Sequence, residues 1–168
     1  SKYSSDHSLK DAESLASALG ISYEVIPIQA CVDEMEQTLK SCFSGHSPNV
    51  AEENIQARIR GDILMALSNK FGWMVLSTGN KTELALGYCT LYGDMSGGLS
   101  VISDLSKTDV YTLAHWINYK YPGRIPTGSI KKPPSAERAP NQVDPFDYDI
   151  VSPLVDLIIE EGKTVIQL

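Results

Sequence analysis

The sequence has few cysteines, and none of them are paired at a metal-ligand or redox spacing. Three cysteines occur in 168 residues, and Cys31, Cys42 and Cys89 form no CxxC motif. An odd number of scattered cysteines favours reduced thiols over a disulfide framework. The three histidines are scattered as well, so no His-based metal motif is present. We therefore expect a cytoplasmic protein.

Long apolar runs and clusters of basic residues are also missing. No run approaches the roughly 20 residues that cross a bilayer, and no basic-then-apolar segment stands at the start. The sequence contains 14 Lys and Arg residues and 21 Asp and Glu residues, which gives a net charge of −7. This balance argues against a nucleic-acid partner, because nucleic-acid binding needs clustered Lys and Arg. A single local cation could still bind a nucleotide. The length predicts one domain.

Helix and strand patterns alternate along the chain. Apolar residues recur at helical spacing in several segments, and short apolar runs between polar and glycine residues are typical of buried strands. The predicted elements are a helix opened by Ser8–Asp11 and ended by Gly20, a strand at 23–26, helices at 30–43 and 50–70, a strand at 73–77, a helix to about Tyr88 and a helix opened by Ser106–Asp109. This alternation predicts an α/β fold with a doubly wound, mainly parallel sheet and helices on both faces.

Two segments lack a clear period. Residues 92–101 are interpreted as a glycine-containing loop. Residues 119–148 contain six prolines, and a loop of that length is usually a functional lid or disordered. From 151 onward the pattern predicts one helix, then Gly162, then the start of another.

The stretch after the strand predicted at 73–77 is the most informative. Thr78, Asn80, Lys81 and Glu83 supply a hydroxyl, an amide, a cation and a carboxylate within six residues. In an open α/β sheet, ligands bind at the carboxyl ends of the strands. This cluster can bind a nucleotide and its metal, although an ordinary polar loop would have a similar composition.

The amino-acid sequence of this and several other segments resembles that of the synthetase domain of NAD synthetases, above all the glutamine-dependent kind. The matching segments are YSSDHSLKDAESLA at 3–16, ENIQARIRG at 53–61, TGNKTELALGY at 78–88, YGD at 92–94, DLSKT at 104–108 and KPPSAE at 132–137. They follow one another in the family's order over nearly the whole chain. The resemblance implies an adenine nucleotide alpha-hydrolase-like fold and ATP-dependent amidation of deamido-NAD to NAD.

The resemblance also implies roles for particular residues. Thr78 would contact ATP, and Lys107, just before a predicted helix, would supply charge to its phosphates. Asn54 and Arg58 are four residues apart on one helix face and would contact deamido-NAD. Glu83 would contact both deamido-NAD and Mg²⁺, and Asp94 would belong to the substrate site. The ordinary alternatives are a solvated helix face, a helix-dipole carboxylate, a turn aspartate and a surface lysine.

One motif of that family is missing from this sequence. The pyrophosphate-binding loop SGGxDS does not occur, and Ser96-Gly97-Gly98-Leu99-Ser100 lacks its aspartate. We therefore interpret 1–168 as part of a synthetase domain, truncated at its N-terminus, and expect little or no turnover from it alone. By the same resemblance, residues 119–148 would be the family's mobile active-site loop.

The resemblance further implies partners. Ammonia would come from glutamine, through a glutaminase domain absent from this sequence, or from solution, and the family forms homodimers. Two alternatives stay open: another ATP pyrophosphatase, such as GMP synthetase or an asparagine-synthetase-like amidotransferase, and a non-catalytic nucleotide-binding module.

Overall fold

The computed structural model describes residues 3–168, and helices dominate it. The elements in chain order are α1 (Asp6–Leu19), α2 (Gln29–Leu39), α3 (Val50–Phe71), β1 (Leu76–Ser77), α4 (Lys81–Ala85), β2 (Leu99–Ser100), α5 (Lys107–Lys120), α6 (Thr127–Lys131), α7 (Tyr148–Ile159) and a 3-10 turn (Val165–Gln167). Within residues 3–168, none of the helices is both long and apolar enough to cross a bilayer.

The two strands form a parallel pair. Leu76 lies opposite Leu99, and Ser77 lies opposite Ser100. The hydroxyl oxygens of the two serines are 2.5 Å apart. The predicted parallel sheet is thus confirmed in its direction, although the strand predicted at 73–77 is reduced to its last two residues.

β2 lies inside the segment predicted to be a loop, and that prediction is wrong for 99–100. Two glycines explain the close approach of this segment to β1. A Cβ atom on Gly97 would lie 2.9 Å from the carbonyl oxygen of Val75, which is closer than side chains tolerate. The amide of Gly98 donates to that oxygen at 2.9 Å. The glycine pair therefore admits a second strand rather than only forming a turn.

The strand predicted at 23–26 is also wrong, because residues 21–28 form no regular element. A strand is stabilised by hydrogen bonds to a neighbouring strand, and the only sheet that residues 3–168 form pairs β1 with β2. Val25 and Ile26 are 58% and 44% exposed. The apolar run that suggested a strand thus lies open to solvent.

The helix boundaries follow their capping residues. α3 begins after Asn49, and α5 begins after Ser106, each with a reciprocal capping box, so both predicted helices are confirmed. Gly20 ends α1 in the left-handed conformation, at φ 66°. The predicted start of α1 at Ser8 is wrong by one turn, because Ser5 is the cap and its hydroxyl oxygen accepts from the Ser8 amide at 3.2 Å.

Three other boundaries differ from the prediction. α2 ends at Leu39 rather than at 43. α4 ends at Ala85 rather than near Tyr88, and Gly87 follows with φ 67°. The C-terminal helix begins at Tyr148, and Gly162 follows it with φ 65°.

An apolar core joins α2 to α3. Ile28, Val32 and Ile59 are at most 7% exposed, and Ile55 and Ile63 pack against them. These positions on α3 are four residues apart, so they form one stripe along the helix. The stripe predicted from the sequence is confirmed, and it fixes α3 so that its remaining faces can meet the later loops.

A second, polar core joins α4, α5 and α7. Thr82, Ser106 and Ser152 are all fully buried. The hydroxyl oxygens of Thr82 and Ser152 lie 3.1 Å apart. Because buried hydroxyls need partners, this contact sets the positions of α4 and α7. Glu83 directly follows Thr82 in the sequence, and the backbone amide of Lys107 donates to the same Thr82 hydroxyl oxygen, so this buried hydroxyl also restricts where Glu83 and Lys107 lie.

The Pro-rich segment 119–148 contains α6 and is tied to the rest of the chain at several points. The Glu137 carboxylate accepts hydrogen bonds from the hydroxyls of Ser5 and Ser8, each at 2.9 Å, and pairs with Lys132. Glu137 itself has φ 50°. The predicted mobility of this segment stays a prediction.

Candidate functional site

A cavity of about 370 Å³ lies beyond the carboxyl ends of the two strands. Parallel strands end at the same edge of a sheet, which is where ligands bind in α/β proteins. The cavity brings together Thr78, Glu83, Asp94 and Lys107, four of the six residues that the sequence predicted. They come from the end of β1, from α4, from the loop before β2 and from α5.

Glu83 is aimed into this cavity by the cap of α4. Asn80 is 2% exposed, and its side-chain oxygen accepts from the Glu83 amide at 3.0 Å. In return, the backbone amide of Asn80 donates to Oε2 of Glu83 at 3.3 Å. This capping box sets the orientation of the carboxylate. The other oxygen, Oε1, accepts from Nζ of Lys107 at 2.8 Å.

Lys107 is held at the cavity wall rather than in solvent. Its backbone amide donates to Oγ1 of Thr82 at 3.1 Å, so the first turn of α5 is fixed against α4. Its ammonium nitrogen lies 5.2 Å from the centre of the Tyr148 ring, within the range of a cation–π contact. An anion that enters the cavity would therefore meet a cation already in place.

Asp94 and Asn54 are linked through one hydroxyl. Thr90 is 2% exposed. Its amide donates to Oδ1 of Asp94 at 2.7 Å, and its hydroxyl donates to Oδ1 of Asn54 at 2.6 Å. Asn54 is not among the residues that line the 370 Å³ cavity. It is one hydrogen bond away from Thr90 and thus belongs to the same network.

Arg58 is the second predicted residue that does not line the cavity. It is exposed, and its Nε donates to the carbonyl oxygen of Leu91 at 3.2 Å. Asn54 and Arg58 do share a face of α3, as their spacing predicted, because both contact residues 90–91. Arg58 is not brought into the cavity itself.

Lys81, which the sequence grouped with the site, points elsewhere. Its ammonium nitrogen lies 2.7 Å from Asp156, on α7, and 2.9 Å from Glu160, the residue that caps the C-terminus of that helix. These two carboxylates raise the pKa of Lys81. The residue therefore fastens α4 to α7 and does not line the cavity.

Among the cavity residues that the sequence analysis did not predict are Tyr88, Arg138 and Asp144. Asp144 accepts from the hydroxyls of Tyr88 at 3.0 Å and Tyr148 at 2.8 Å. Burial and the Asp144 carboxylate raise the pKa of Tyr88 to about 12. The pKa of Tyr148 is raised for the same two reasons. Arg138 and Asp144 lie in the Pro-rich segment, where no periodicity indicates which side chains face inward.

Arg138 completes the polar wall of the cavity. Its Nη1 donates to Oγ1 of Thr90 at 2.8 Å, and its Nη2 donates to Oδ2 of Asp94. The cavity thus contains three carboxylates, from Glu83, Asp94 and Asp144, and two cations, from Lys107 and Arg138.

The residues do not fit a magnesium site made by the protein alone. Each cavity carboxylate already accepts from a donor: Glu83 from Lys107, Asp94 from Arg138, and Asp144 from two tyrosines. Across residues 3–168 there is no group of three or more His, Cys, Asp or Glu side chains placed to hold a metal ion. Magnesium at nucleotide sites is usually held by one or two carboxylates together with substrate phosphates. A magnesium ion in this cavity would therefore need substrate phosphates among its ligands.

The fold and the position of the cavity define a class before any particular family. A parallel sheet with a polar cavity at its carboxyl edge, walled by helix N-termini and cations, is the arrangement of a nucleotide-binding α/β protein. The structural neighbours include NAD synthetases, which have the adenine nucleotide alpha-hydrolase-like fold.

The sequence matches the NAD synthase family model over residues 1–167, and the chain belongs to that family. It is similar to a glutamine-dependent NAD(+) synthetase of Thermotoga maritima, with 50% identity over 167 residues that cover 96% of this chain and 29% of the relative. The chain therefore spans roughly a third or less of the curated relatives it matches.

Two solved structures show the same fold. One is a glutamine-dependent NAD+ synthetase of Acinetobacter baumannii in complex with ADP, with a TM-score of 0.76 and 40% identity over 96% of this chain and 29% of that chain. The other is an NMN synthetase of Francisella tularensis, with a TM-score of 0.81 and 25% identity over 98% of this chain and 64% of that chain. The predicted fold class is thereby confirmed.

Proposed function

We propose that this chain forms the nucleotide and substrate cavity of an enzyme that converts deamido-NAD to NAD at the expense of ATP. The observation that supports this most directly is the meeting of Thr78, Glu83 and Lys107 in one cavity at the carboxyl edge of a parallel sheet. Membership of the NAD synthase family and similarity to a synthetase that binds ADP support it further.

The proposed reaction has two steps. A carboxylate oxygen of the nicotinate group attacks the α-phosphorus of ATP, and the bond to pyrophosphate breaks, which gives an acyl-adenylate. Ammonia then attacks the acyl carbon, AMP leaves with the bonding electron pair, and a proton is lost to solvent. Adenylation is needed because a free carboxylate is a poor electrophile, and the substrate supplies its own nucleophile.

The residues of the cavity would bind and orient these reactants. The Thr78 hydroxyl would contact ATP, and Lys107 would offset the charge of its phosphates. Asn54, Glu83 and Asp94 would position deamido-NAD, with Arg58 at the outer end of the same helix face. ATP would enter as its magnesium complex, and Glu83 would help to hold that magnesium while its Oε1 stays paired with Lys107 at 2.8 Å, because a carboxylate has lone pairs for more than one partner.

The nitrogen source and the assembly are part of the proposal. Similarity to glutamine-dependent synthetases supports glutamine as the source of ammonia, through a separate glutaminase domain. We expect a cytoplasmic homodimer with the deamido-NAD site near its interface, and a Pro-rich segment that closes over the nucleotide and excludes water. Alone, residues 1–168 are expected to turn over slowly or not at all.

The test is an assay of the full-length natural protein, with this chain alone in parallel. Deamido-NAD, MgATP and ammonia or glutamine are supplied, and NAD and AMP are quantified. We expect equal amounts of the two products. Oxygen-18 in the substrate carboxylate should appear in AMP, because the acyl-adenylate transfers one carboxylate oxygen to it. Release of ADP instead of AMP would contradict the adenylate.

Matched variants connect the activity to the cavity. Glu83→Gln removes a carboxylate that is paired with Lys107, whereas Glu160→Gln removes one that is paired with Lys81 at a similar distance, outside the cavity. We expect Glu83→Gln to lower kcat/KM at least about tenfold, since a hydrogen bond to a charged group contributes about 1.5–3 kcal/mol. The Glu160 variant should stay within about twofold. Equal losses in the two variants would exclude a specific role for Glu83.

The alternatives give different products. The similarity to an NMN synthetase makes a mononucleotide substrate the second candidate, and its mark would be NMN formation exceeding NAD formation. Another ATP pyrophosphatase would consume ATP to AMP with a different acceptor. ATP binding without any turnover by the folded full-length protein would favour a non-catalytic module.

A further inference from the structure

Arg138 reaches from the Pro-rich segment into the polar network of the cavity. Its side chain is 16% exposed. Nη1 donates to the hydroxyl oxygen of Thr90 at 2.8 Å, and Nη2 donates to Oδ2 of Asp94. The guanidinium therefore holds a hydroxyl and a carboxylate at once, which a point-like ammonium could not do with the same geometry.

The backbone of Arg138 is fixed on both sides. Its amide donates to Oε1 of Gln142 at 2.8 Å, and its carbonyl oxygen accepts from Nε2 of Gln56 at 2.9 Å. Gln56 lies on α3 and is 4% exposed. The side chain thus projects from a backbone that is attached to the same helix as Asn54, so its position is determined from two directions.

The chemistry of the donors fixes the direction of the whole network. Arginine can only donate, so the proton of the Thr90 hydroxyl remains for its other partner, Asn54, and this proton needs an acceptor because Thr90 is buried. The atom of Asn54 that faces Thr90, 2.6 Å away, must therefore be the amide oxygen. The NH₂ group of Asn54 is turned away from Thr90, and a ligand there would be met by a hydrogen-bond donor.

We propose that Arg138 is a positioning residue that sets the orientation of Asn54 and Asp94 and fastens the Pro-rich segment to the cavity wall. As far as it concerns substrate, this inference rests on the proposed function. Through Thr90, Arg138 makes the Asn54 amide present its NH₂ group, which suits a substrate acceptor such as a carboxylate, phosphate or carbonyl oxygen. Through Asp94, it closes the side of the cavity formed by residues 135–138.

Cys89 provides a probe of this network that needs no turnover. It lines the same cavity as Arg138. Burial raises the pKa of the Cys89 thiol, Asp94 and Glu83 raise it further, and Arg138 lowers it. In a background where the two exposed cysteines, Cys31 and Cys42, are changed to serine, alkylation reports on Cys89 alone. The alkylation rate is measured as a function of pH. The midpoint of this curve is the pKa of the Cys89 thiol, and the limiting rate at high pH measures how accessible the thiol is to the reagent.

The experiment compares Arg138→Gln with Arg138→Lys, and with Arg124→Gln as a matched control in the same segment. Arg124 donates to the carbonyl oxygen of Ala18 and does not line the cavity. We expect Arg138→Gln to move the alkylation midpoint of Cys89 to higher pH and to raise its limiting rate severalfold. Arg138→Lys should keep the midpoint but still raise the limiting rate. A midpoint and limiting rate unchanged in Arg138→Gln would overturn the proposal.

Kinetics of the full-length protein separate positioning from simple stabilisation. Arg138→Gln should raise KM for deamido-NAD about tenfold, the loss expected for one charge-assisted contact, with KM for ATP within about twofold. Arg138→Lys should restore part of the difference. Equal changes in both KM values, or none, would overturn the positioning role. If the full-length protein makes no NAD, the proposed function fails while the Cys89 measurement still decides whether Arg138 fastens the segment.

Discussion

Replacement of Asn80 by alanine should destabilise the chain more than the same replacement at Asn49, although both residues cap a helix in the same way. Each is an N-cap with a reciprocal capping box, to Glu52 in α3 and to Glu83 in α4. They differ in their surroundings, because Asn49 is exposed and Asn80 is 2% exposed. The pair therefore separates the loss of a cap from the loss of a buried hydrogen bond.

The expected magnitudes follow from this difference. Loss of an asparagine cap costs about 0.5–2 kcal/mol and typically about 1. At Asn49, water can replace the side-chain oxygen, so we expect about 1 kcal/mol or less. At Asn80, the Glu83 amide would lose its acceptor in a partly buried place, where an unsatisfied donor costs about 1–3 kcal/mol. We therefore expect about 2 kcal/mol or more for Asn80→Ala.

Urea unfolding of the chain, followed by circular dichroism at 222 nm, measures both free energies. Asn80→Ser retains an oxygen acceptor and should recover most of the loss. Because the cap also orients Glu83, Asn80→Ala should weaken nucleotide binding measured by calorimetry, whereas Asn49→Ala should not. A cost at Asn80 no larger than at Asn49, with nucleotide binding unchanged, would refute the idea that the cap of α4 positions the site.

Three further predictions concern pH and packing. Burial and Asp144 raise the pKa of Tyr88 to about 12 in the folded chain, whereas the pKa of an unfolded tyrosine is near 10. Neutral Tyr88 therefore stabilises the fold fully below about pH 10, and this stabilisation is lost as the pH rises from about 10 through about 12. Absorbance titration at 295 nm should show this, and Asp144→Asn should lower the midpoint. Burial alone raises the pKa of Glu137, but hydrogen bonds led by that from Lys132 lower it overall. The stabilisation by ionised Glu137 should be lost as the pH falls below the ordinary pKa of a glutamate. Proteolysis within residues 132–142 should then become faster. Gly61→Ala should cost about 1–3 kcal/mol in urea unfolding, despite a helix-propensity gain of about 1 kcal/mol, because its Cβ would lie 2.8 Å from a backbone carbonyl oxygen; a stabilised variant would contradict the clash.

Local signals predicted the helices well. The capping residue Ser106 predicted the start of α5 because a cap depends only on the next three residues. The apolar stripe of α3 is visible because helical spacing repeats over several turns. The position of Glu83 beside the strand end was predictable for the same reason, since a strand, a turn and a helix follow one another directly in the chain.

Contacts between distant segments were not predictable. β2 has two residues, which is too short for a period to appear, and it depends on a glycine that approaches Val75 closely. Arg138 meets Thr90, 48 positions earlier, from a segment whose prolines remove any regular pattern. The strand predicted at 23–26 failed because a strand needs a neighbour to pair with, which a short apolar run cannot reveal.

The mixture of charges in the cavity has a consequence for the speed of encounter with ligands. Three carboxylates and two cations leave the cavity one negative charge in excess, within a chain whose net charge is −7. A nucleotide that approaches to within a Debye length, about 8–10 Å at physiological salt, would meet this net negative field before it reaches the lysine inside the cavity. Electrostatic steering would then act against capture, and the association rate constant for ATP should rise as salt is added.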